Sequence, residues 1–360
     1  MITLIREWYH RHFSDPQAMM LAMVLLIAAT LIYLFGQILT PLLVAVICAY
    51  VLEGGVGRLE RIGVPRSLAA SLVLAFFFFL CLIAIFGLVP LLFQQVTQLF
   101  LELPRMLGQG QQQLMRLPEA YPNLFTVDQI NDVMNGLRGE IASFSQAVVS
   151  FSVANVVNVF VFAVYFVLVP LVVFFILKDK TMVFGWVSQF LPTRSELTTR
   201  VWAEVDAKTA SYIRGKLIEI VIIWFVSYVV FALFGLNFTL LLSFLVGISV
   251  IIPFVGAFAV TLPVALIAFF QWGLSPAFGY LLFAYAILQI LDGNLLVPLL
   301  FSEVVNLHPL AIIVAVLFFG GLWGIWGVFF AIPLATLIQA LLTAWPSKSA
   351  LEPQHLPHAG

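Results

Sequence analysis

Along its 360 residues the chain is a succession of long apolar runs separated by short polar stretches. A helix that crosses a bilayer needs about 20 predominantly apolar residues. Such segments lie at 18–36, 38–52, 67–93, 154–177, 216–235, 238–270, 275–300 and 309–345. The second is short, and Gly36 with Pro41 predicts that the first two form a tight helical hairpin instead of one rod. The segment 238–270 would make a helix about 48 Å long, against a hydrocarbon core of about 30 Å. Pro253 and Gly256 fall in its middle, which predicts a break or hinge there. The last segment holds Gly320, Gly321, Gly324, Gly327 and Pro333. It too is expected to be broken or hairpin-like, its glycines allowing close helix contact, with simple tilted helices as the other reading.

Composition agrees with a membrane as solvent. The chain is 63% hydrophobic and 9% charged, with a mean hydropathy of +1.11, whereas a soluble domain carries roughly 25% charged residues. A formal net charge of −1 offers neither a basic surface for nucleic acid nor an acidic tail. Cys48 and Cys81 lie inside apolar runs and read as packing residues, without metal-site spacing. Arg6 and Arg11 precede an apolar run too long for a signal-peptide core, so the first segment is expected to be retained.

Charge distribution sets the expected orientation. If each segment crosses once from a cytoplasmic N-terminus, 13 of the 16 Lys and Arg residues fall on the cytoplasmic side. Arg105, Arg116 and Arg138 fall on the other, a bias of the kind the positive-inside rule describes, with both termini cytoplasmic. Six regions follow. Residues 1–93 hold the first three spans, 94–153 an extracytoplasmic helical arm, and 154–177 the fourth span. A cytoplasmic basic helical segment, 178–215, leads into spans five to eight at 216–345, and 346–360 form a cytoplasmic tail.

Within the arm, Val96, Leu99, Phe100, Leu103 and Leu107 recur at helical spacing. After the turn from Pro118 to Pro122, Ile130, Val133, Met134, Leu137, Ile141, Phe144 and Val148 share one helical face, and Thr126 with Gln129 predicts a capping box. That face rests on the bilayer surface or joins subunits. In the basic segment, Ser195 is placed to cap a helix on which Arg200, Glu204 and Lys208 are four apart.

No phosphate-binding glycine loop, paired metal ligands or nucleophile elbow is visible, so no catalytic residue, metal or cofactor is assigned and an enzyme is not expected. Attention moves to polar residues at membrane depth, where a charge costs at least about 2.5 kcal/mol and needs a partner or cavity. Asp292 stands in Gln289-Ile-Leu-Asp292-Gly293-Asn294 with apolar residues on both sides. This suits an interrupted helix facing a cavity that binds substrate, ion or proton; the alternative is that Asp292 caps a half-helix reaching toward Pro298. Glu219 is the second carboxylate, close enough to Arg214 and Lys216 for a local ion pair near the interface. His308, before Pro309, is either a titrating group or the end of a loop.

Asp292-Gly293-Asn294-Leu295-Leu296-Val297-Pro298, continued by Asn306-Leu307-His308-Pro309 and the run from Gly320 to Pro333, closely resembles the autoinducer-2 exporter family. Tyr212-Ile213-Arg214-Gly215 and Ile252-Pro253-Phe254-Val255-Gly256 support the match. Trp8-Tyr9 to Phe13-Ser14-Asp15-Pro16, Leu177-Lys178-Asp179-Lys180 and Phe301-Ser302-Glu303 look like its PerM-type permeases. The resemblance implies an eight-helix permease, often assigned to export of small signalling molecules. Some relatives are described as sodium/proton antiporters, and homo-oligomers, a pentamer among them, are implied. It carries over onto Arg214, Gly215, Pro253, Gly256, Gln289, Asp292, Asn294, Pro298, His308 and Pro309.

The expectation is therefore an all-α, polytopic protein of the bacterial inner membrane with about eight transmembrane helices and an extracytoplasmic helical arm. It would act as a secondary transporter or exporter of a small solute, coupled to a proton or sodium gradient. Its partners would be a small-molecule or ion substrate, the lipid bilayer and further copies of itself, with no nucleic acid. A non-transporting membrane scaffold is the alternative.

Overall fold

The computed structural model describes residues 16–115, 118, 126–136, 138–139, 156–189, 196–253, 255–301 and 307–344. No strand occurs among them. The first helix, α1, runs from Pro16 to Arg61 without a break, so the hairpin expected at Gly36 to Pro41 does not form. Pro41 removes one amide, but in an apolar medium a helix is the only local way to pair the remaining backbone groups. Thr40 also donates its hydroxyl to the Gly36 carbonyl at 2.9 Å, so a side chain supports the backbone beside the proline.

Helix α2 (Arg66–Ile83) passes through one π turn (Ala84–Leu88) into α3 (Val89–Leu114). A short helix, α4 (127–136), follows. Its capping box is formed: the Thr126 amide donates to Gln129 Oε1 at 3.1 Å and the Gln129 amide to Thr126 Oγ1 at 3.3 Å. Ile130 and Met134 are buried against Leu107, whereas Val133 is exposed. Leu137, Ile141, Phe144 and Val148 lie outside the described residues, as do Ser195, the side chains of Arg200 and Glu204, and both chain ends. Helices α5 (Val156–Lys178), α6 (Lys180–Ser188) and α7 (Glu196–Phe234) come next. Then follow α8 (Thr239–Ser249), α9 (Val255–Trp272) and α10 (Pro276–Leu291). A second π turn (Asp292–Leu296) joins α10 to α11 (Val297–Phe301), and α12 (Pro309–Ala344) is the last described helix.

Six of these helical stretches are long and apolar enough to cross a membrane, and Val164–Lys178 with Thr239–Ser249 add two shorter apolar ones. No more than 22% of any long stretch's apolar window is buried inside the chain. Phe86, Leu233 and Phe258 are over three-quarters exposed. In water such a surface would aggregate; in lipid it faces its solvent. By their contacts the residues fall into two units: Met1–Val46 with Phe175–Tyr212 and Glu303–Gly360, and Ile47–Phe174 with Ile213–Ser302.

The second unit is built on α7 and α10, which run antiparallel. Gly215 of α7 lies against Leu300 and Phe301 of α11, while Phe231 meets Tyr285 at a centroid distance of 5.8 Å. Between them the chain makes a hairpin. Gln271, at the end of α9, accepts from the Asn237 amide and donates to the Gly235 carbonyl, both at 2.8 Å. The mouth of α8 and α9 is thereby closed at the C-terminal end of α7. At the tip, Pro253 lies in the turn and Gly256 touches the Ser249 carbonyl so closely that no Cβ fits. Gly247 brings α8 onto Trp224 and the Ile220 carbonyl. Residues 238–270 therefore go in and come back, with the break at Pro253 and Gly256 where the sequence predicts it, whereas the charge count assumes that each segment crosses once. The 33 residues are too long for one crossing, and the glycine contacts favour antiparallel packing of two shorter helices.

In the other unit α12 also folds back. Gly324 has φ 59° and ψ −136°, a conformation that side-chain-bearing residues avoid. Gly327 abuts the Phe319 carbonyl, a Cβ on Gly320 would come within 2.8 Å of Val328, and Ala315 and Phe319 pack on Ala331. The break is at Gly324. Pro333 is not the break: it is buried within the second arm, and Gly321 meets nothing nearby.

Candidate functional site

Two residues in the first membrane turns of α7 define the site. Lys216 and Glu219 are one helical turn apart, so their side chains share a face. Nζ and Oε2 are 2.7 Å apart, with the side chains 6% and 2% exposed. Lys216 also sits 5.4 Å from the centre of the Phe301 ring, a cation–π contact that favours an ammonium removed from water. Gly215 makes this possible, since only a hydrogen there lets α11 approach.

Asp292 approaches from α10. It opens the π turn, and its Oδ1 is buried without a hydrogen-bond partner. Its carboxylate interacts through charge with both Lys216 and Glu219. The helix is not interrupted here as expected: it widens by one residue and continues, every flanking residue staying right-handed helical. A π turn spares the chain the several unpaired backbone groups of a break, yet still reaims the side chain, and such turns concentrate at functional sites. Asn294 is exposed and donates to the Ile290 carbonyl at 2.9 Å. Gly293 and Pro298 are exposed too, with open space beside Gly293.

One turn further along α10, Gln289 donates to the Tyr285 hydroxyl at 2.6 Å. On α9 the Thr261 hydroxyl gives its hydrogen to the Ala257 carbonyl at 2.8 Å. On α7, Ser227 is fully buried, and neither its Oγ nor the Trp224 indole nitrogen, which packs on α8, has a partner. The α7–α10 pair thus holds a buried ion pair, a carboxylate oxygen without a partner, and unpaired donors above it.

The structure brings Glu219, Asp292 and Gln289 onto one helix pair. Arg214 stays exposed, one turn from Gly54 of α1, where an added Cβ would be 3.6 Å from its Nη1. His308 belongs to the other unit and accepts from the Leu310 amide through Nδ1 at 3.2 Å, capping α12. Pro253, Gly256 and Gly324 are at the hairpin turns. Sequence reasoning treated Lys216 only as a neighbour of Glu219 and passed over Ser227, Trp224, Tyr285 and Thr261. Lys216 had a visible signal in its three-residue spacing; Ser227 and Tyr285 had none before the antiparallel pairing was known.

This fold and site define a polytopic α-helical membrane protein with a charged cluster at membrane depth. The AI-2E family transporter description matches residues 20–347, and the chain belongs to that family. A protein of Escherichia coli (strain K12), "Putative permease PerM", is 45% identical over 346 residues, covering 96% of this chain and 98% of that protein. "Putative transport protein YueF" of Bacillus subtilis (strain 168) is 26% identical over 343 residues, covering 91% and 92%. The chain is accordingly a multi-pass membrane protein of a transporter family.

Proposed function

We propose that this protein is a secondary transporter of a small solute in the inner membrane, driven by a proton or sodium gradient through Asp292. The observation that carries the reading is the buried Asp292 Oδ1 without a partner, next to the buried Lys216–Glu219 pair. A carboxylate kept at membrane depth without full compensation has a function by default, and ion coupling is the one a transporter needs. The relatives' names, a permease and a transport protein, support movement of a solute. Chain order adds to this. A crossing helix followed by a hairpin occurs twice, as Asp206–Phe234 with 239–272 and as Pro276–Phe301 with 309–344. Repetition of one helical unit along the chain is a feature of many secondary transporters. The basic end is assigned to the cytoplasm, and the exposed apolar helix faces suit packing into a homo-oligomer.

The test is flux in proteoliposomes of the full chain, loaded with a metabolite mixture and given a proton or sodium gradient. At least one solute is expected to move only with the gradient, and Asp292→Asn, nearly isosteric, is expected to abolish that flux at normal abundance. Absence of any gradient-dependent movement, together with crosslinking into a larger complex, would transfer the reading to a scaffold.

A further inference from the structure

The 89 residues from Ile213 to Phe301 contain four charged side chains: Arg214, Lys216, Glu219 and Asp292. Arg214 is exposed. Lys216 and Glu219 are buried and Asp292 is half-buried with its Oδ1 covered, and their charges do not cancel: one ammonium stands against two carboxylates. Lys216 is held at 2.7 Å on Glu219, and Asp292 Oδ1, with which Lys216 interacts through charge, is left without a partner. An isolated carboxylate buried in a low-dielectric site is costly, so the cluster as seen lacks one positive charge.

We infer that Lys216 is a tethered competitor for the coupling cation: its ammonium exchanges between Glu219 and Asp292, so Asp292 is matched either by Lys216 or by one small monovalent cation. The inference rests on the coupling reading of Asp292 and adds a residue and a mechanism to it. Geometry supports the exchange. The ammonium is a point charge on a four-carbon stem with three rotatable donors, unlike a guanidinium locked in a fork. Phe301 offers a neutral resting surface beside it. With Lys216 on Glu219, the described state is the one ready to accept a cation; return of the ammonium to Asp292 expels it. Lys216 is therefore a positioning residue, acting on occupancy through Asp292.

Three variants move the competitor in different directions. Glu219→Gln removes the alternative partner, leaves Lys216 on Asp292 and makes the cluster neutral. The double variant Lys216→Met with Glu219→Gln removes the competitor and keeps the excess of one negative charge. Asp292→Asn removes the binding carboxylate and leaves an intact ion pair.

The measurement is the thermal unfolding midpoint of the full chain in lipid nanodiscs. One arm titrates sodium chloride against choline chloride at constant ionic strength; the other lowers the pH from 8 to 6 without sodium. Wild type is expected to be stabilised in one arm, which identifies sodium or the proton as the cation. In that arm Glu219→Gln should need about tenfold more cation and the double variant about twofold less, because a competitor lowers the apparent affinity to the fraction of sites it leaves free. Asp292→Asn should not respond. If Asp292→Asn is silent while the other two titrate like wild type, the exchange is overturned and the coupling site stands. A cation response that survives in Asp292→Asn, or a wild type that responds in neither arm, overturns both. Opposite shifts in two variants are not produced by a general loss of stability.

Discussion

At the scale of the residue, the Lys216–Glu219 pair is a liability the fold keeps. A buried pair gains little over apolar packing, but removing one member strands a charge and costs about 3–5 kcal/mol. Lys216→Met alone would leave the buried Glu219 and the half-buried Asp292 with no cation between them. It is expected to lower stability by about that amount, read by thermal or denaturant unfolding in nanodiscs. Adding Glu219→Gln should restore most of the loss. If the single variant is as stable as wild type, the pair is solvated and the site is not at membrane depth. Asp292 contrasts with this pair, since its neutral isostere should cost transport and not stability.

Among elements, the hairpins depend on where a Cβ has no room. A methyl at Gly256 would enter the Ser249 carbonyl, so Gly256→Ala should cost about 3 kcal/mol, the upper end of overpacking penalties, and lower abundance in the membrane. Gly324→Ala should cost about 1–3 kcal/mol for a different reason, the backbone conformation with φ 59°. Gly321→Ala, with open space around it, should match wild type in abundance and thermal midpoint. Equal behaviour of all three would mean that α12 and the α8–α9 pair are not folded back. These same positions show what could be read in advance. Over-long apolar runs containing Pro253, Gly256 and the Gly320–Gly327 series announced breaks, because length and helix-breaking residues are local properties. Thr126 and Gln129 announced their capping box for the same reason. The Gly36–Pro41 turn failed because in lipid the demand to pair every backbone group outweighs the local breaker. The π turn at Asp292 was read as a break, and the approach of Tyr285 to Phe231 was invisible, because it is set by the antiparallel register of α7 and α10.

For the whole molecule, that register decides which loops lie on which side. At one end of the second unit are Arg214 and Lys216, with Gly54 of α1 beside Arg214 and Arg66 bound to Glu53 and Glu60 of the same helix at 3.1 and 3.0 Å. Arg58 and Arg61 belong to this end. At the other end Gln271 holds Gly235, Phe270 meets Gly110, and Arg138 donates to Gln111 at 2.8 Å. In the proposed orientation, which follows the positive-inside rule, the first end is cytoplasmic. Reporter fusions near residue 120 should therefore report the outside, and fusions near 190 and 355 the cytoplasm. These three do not separate the hairpin from a single crossing, because two apolar segments change together. Fusions at Gly273 and between Phe301 and Leu307 do. If residues 238–270 crossed once, Gly273 would be cytoplasmic and the 302–306 loop outside. With α8 and α9 closed by Gln271 at the end of α7, Gly273 should report the outside. Since α11 returns to Gly215, the 302–306 loop should report the cytoplasm. An exchange of those two signals would overturn the antiparallel α7–α10 pair and the approach of Asp292 to Lys216.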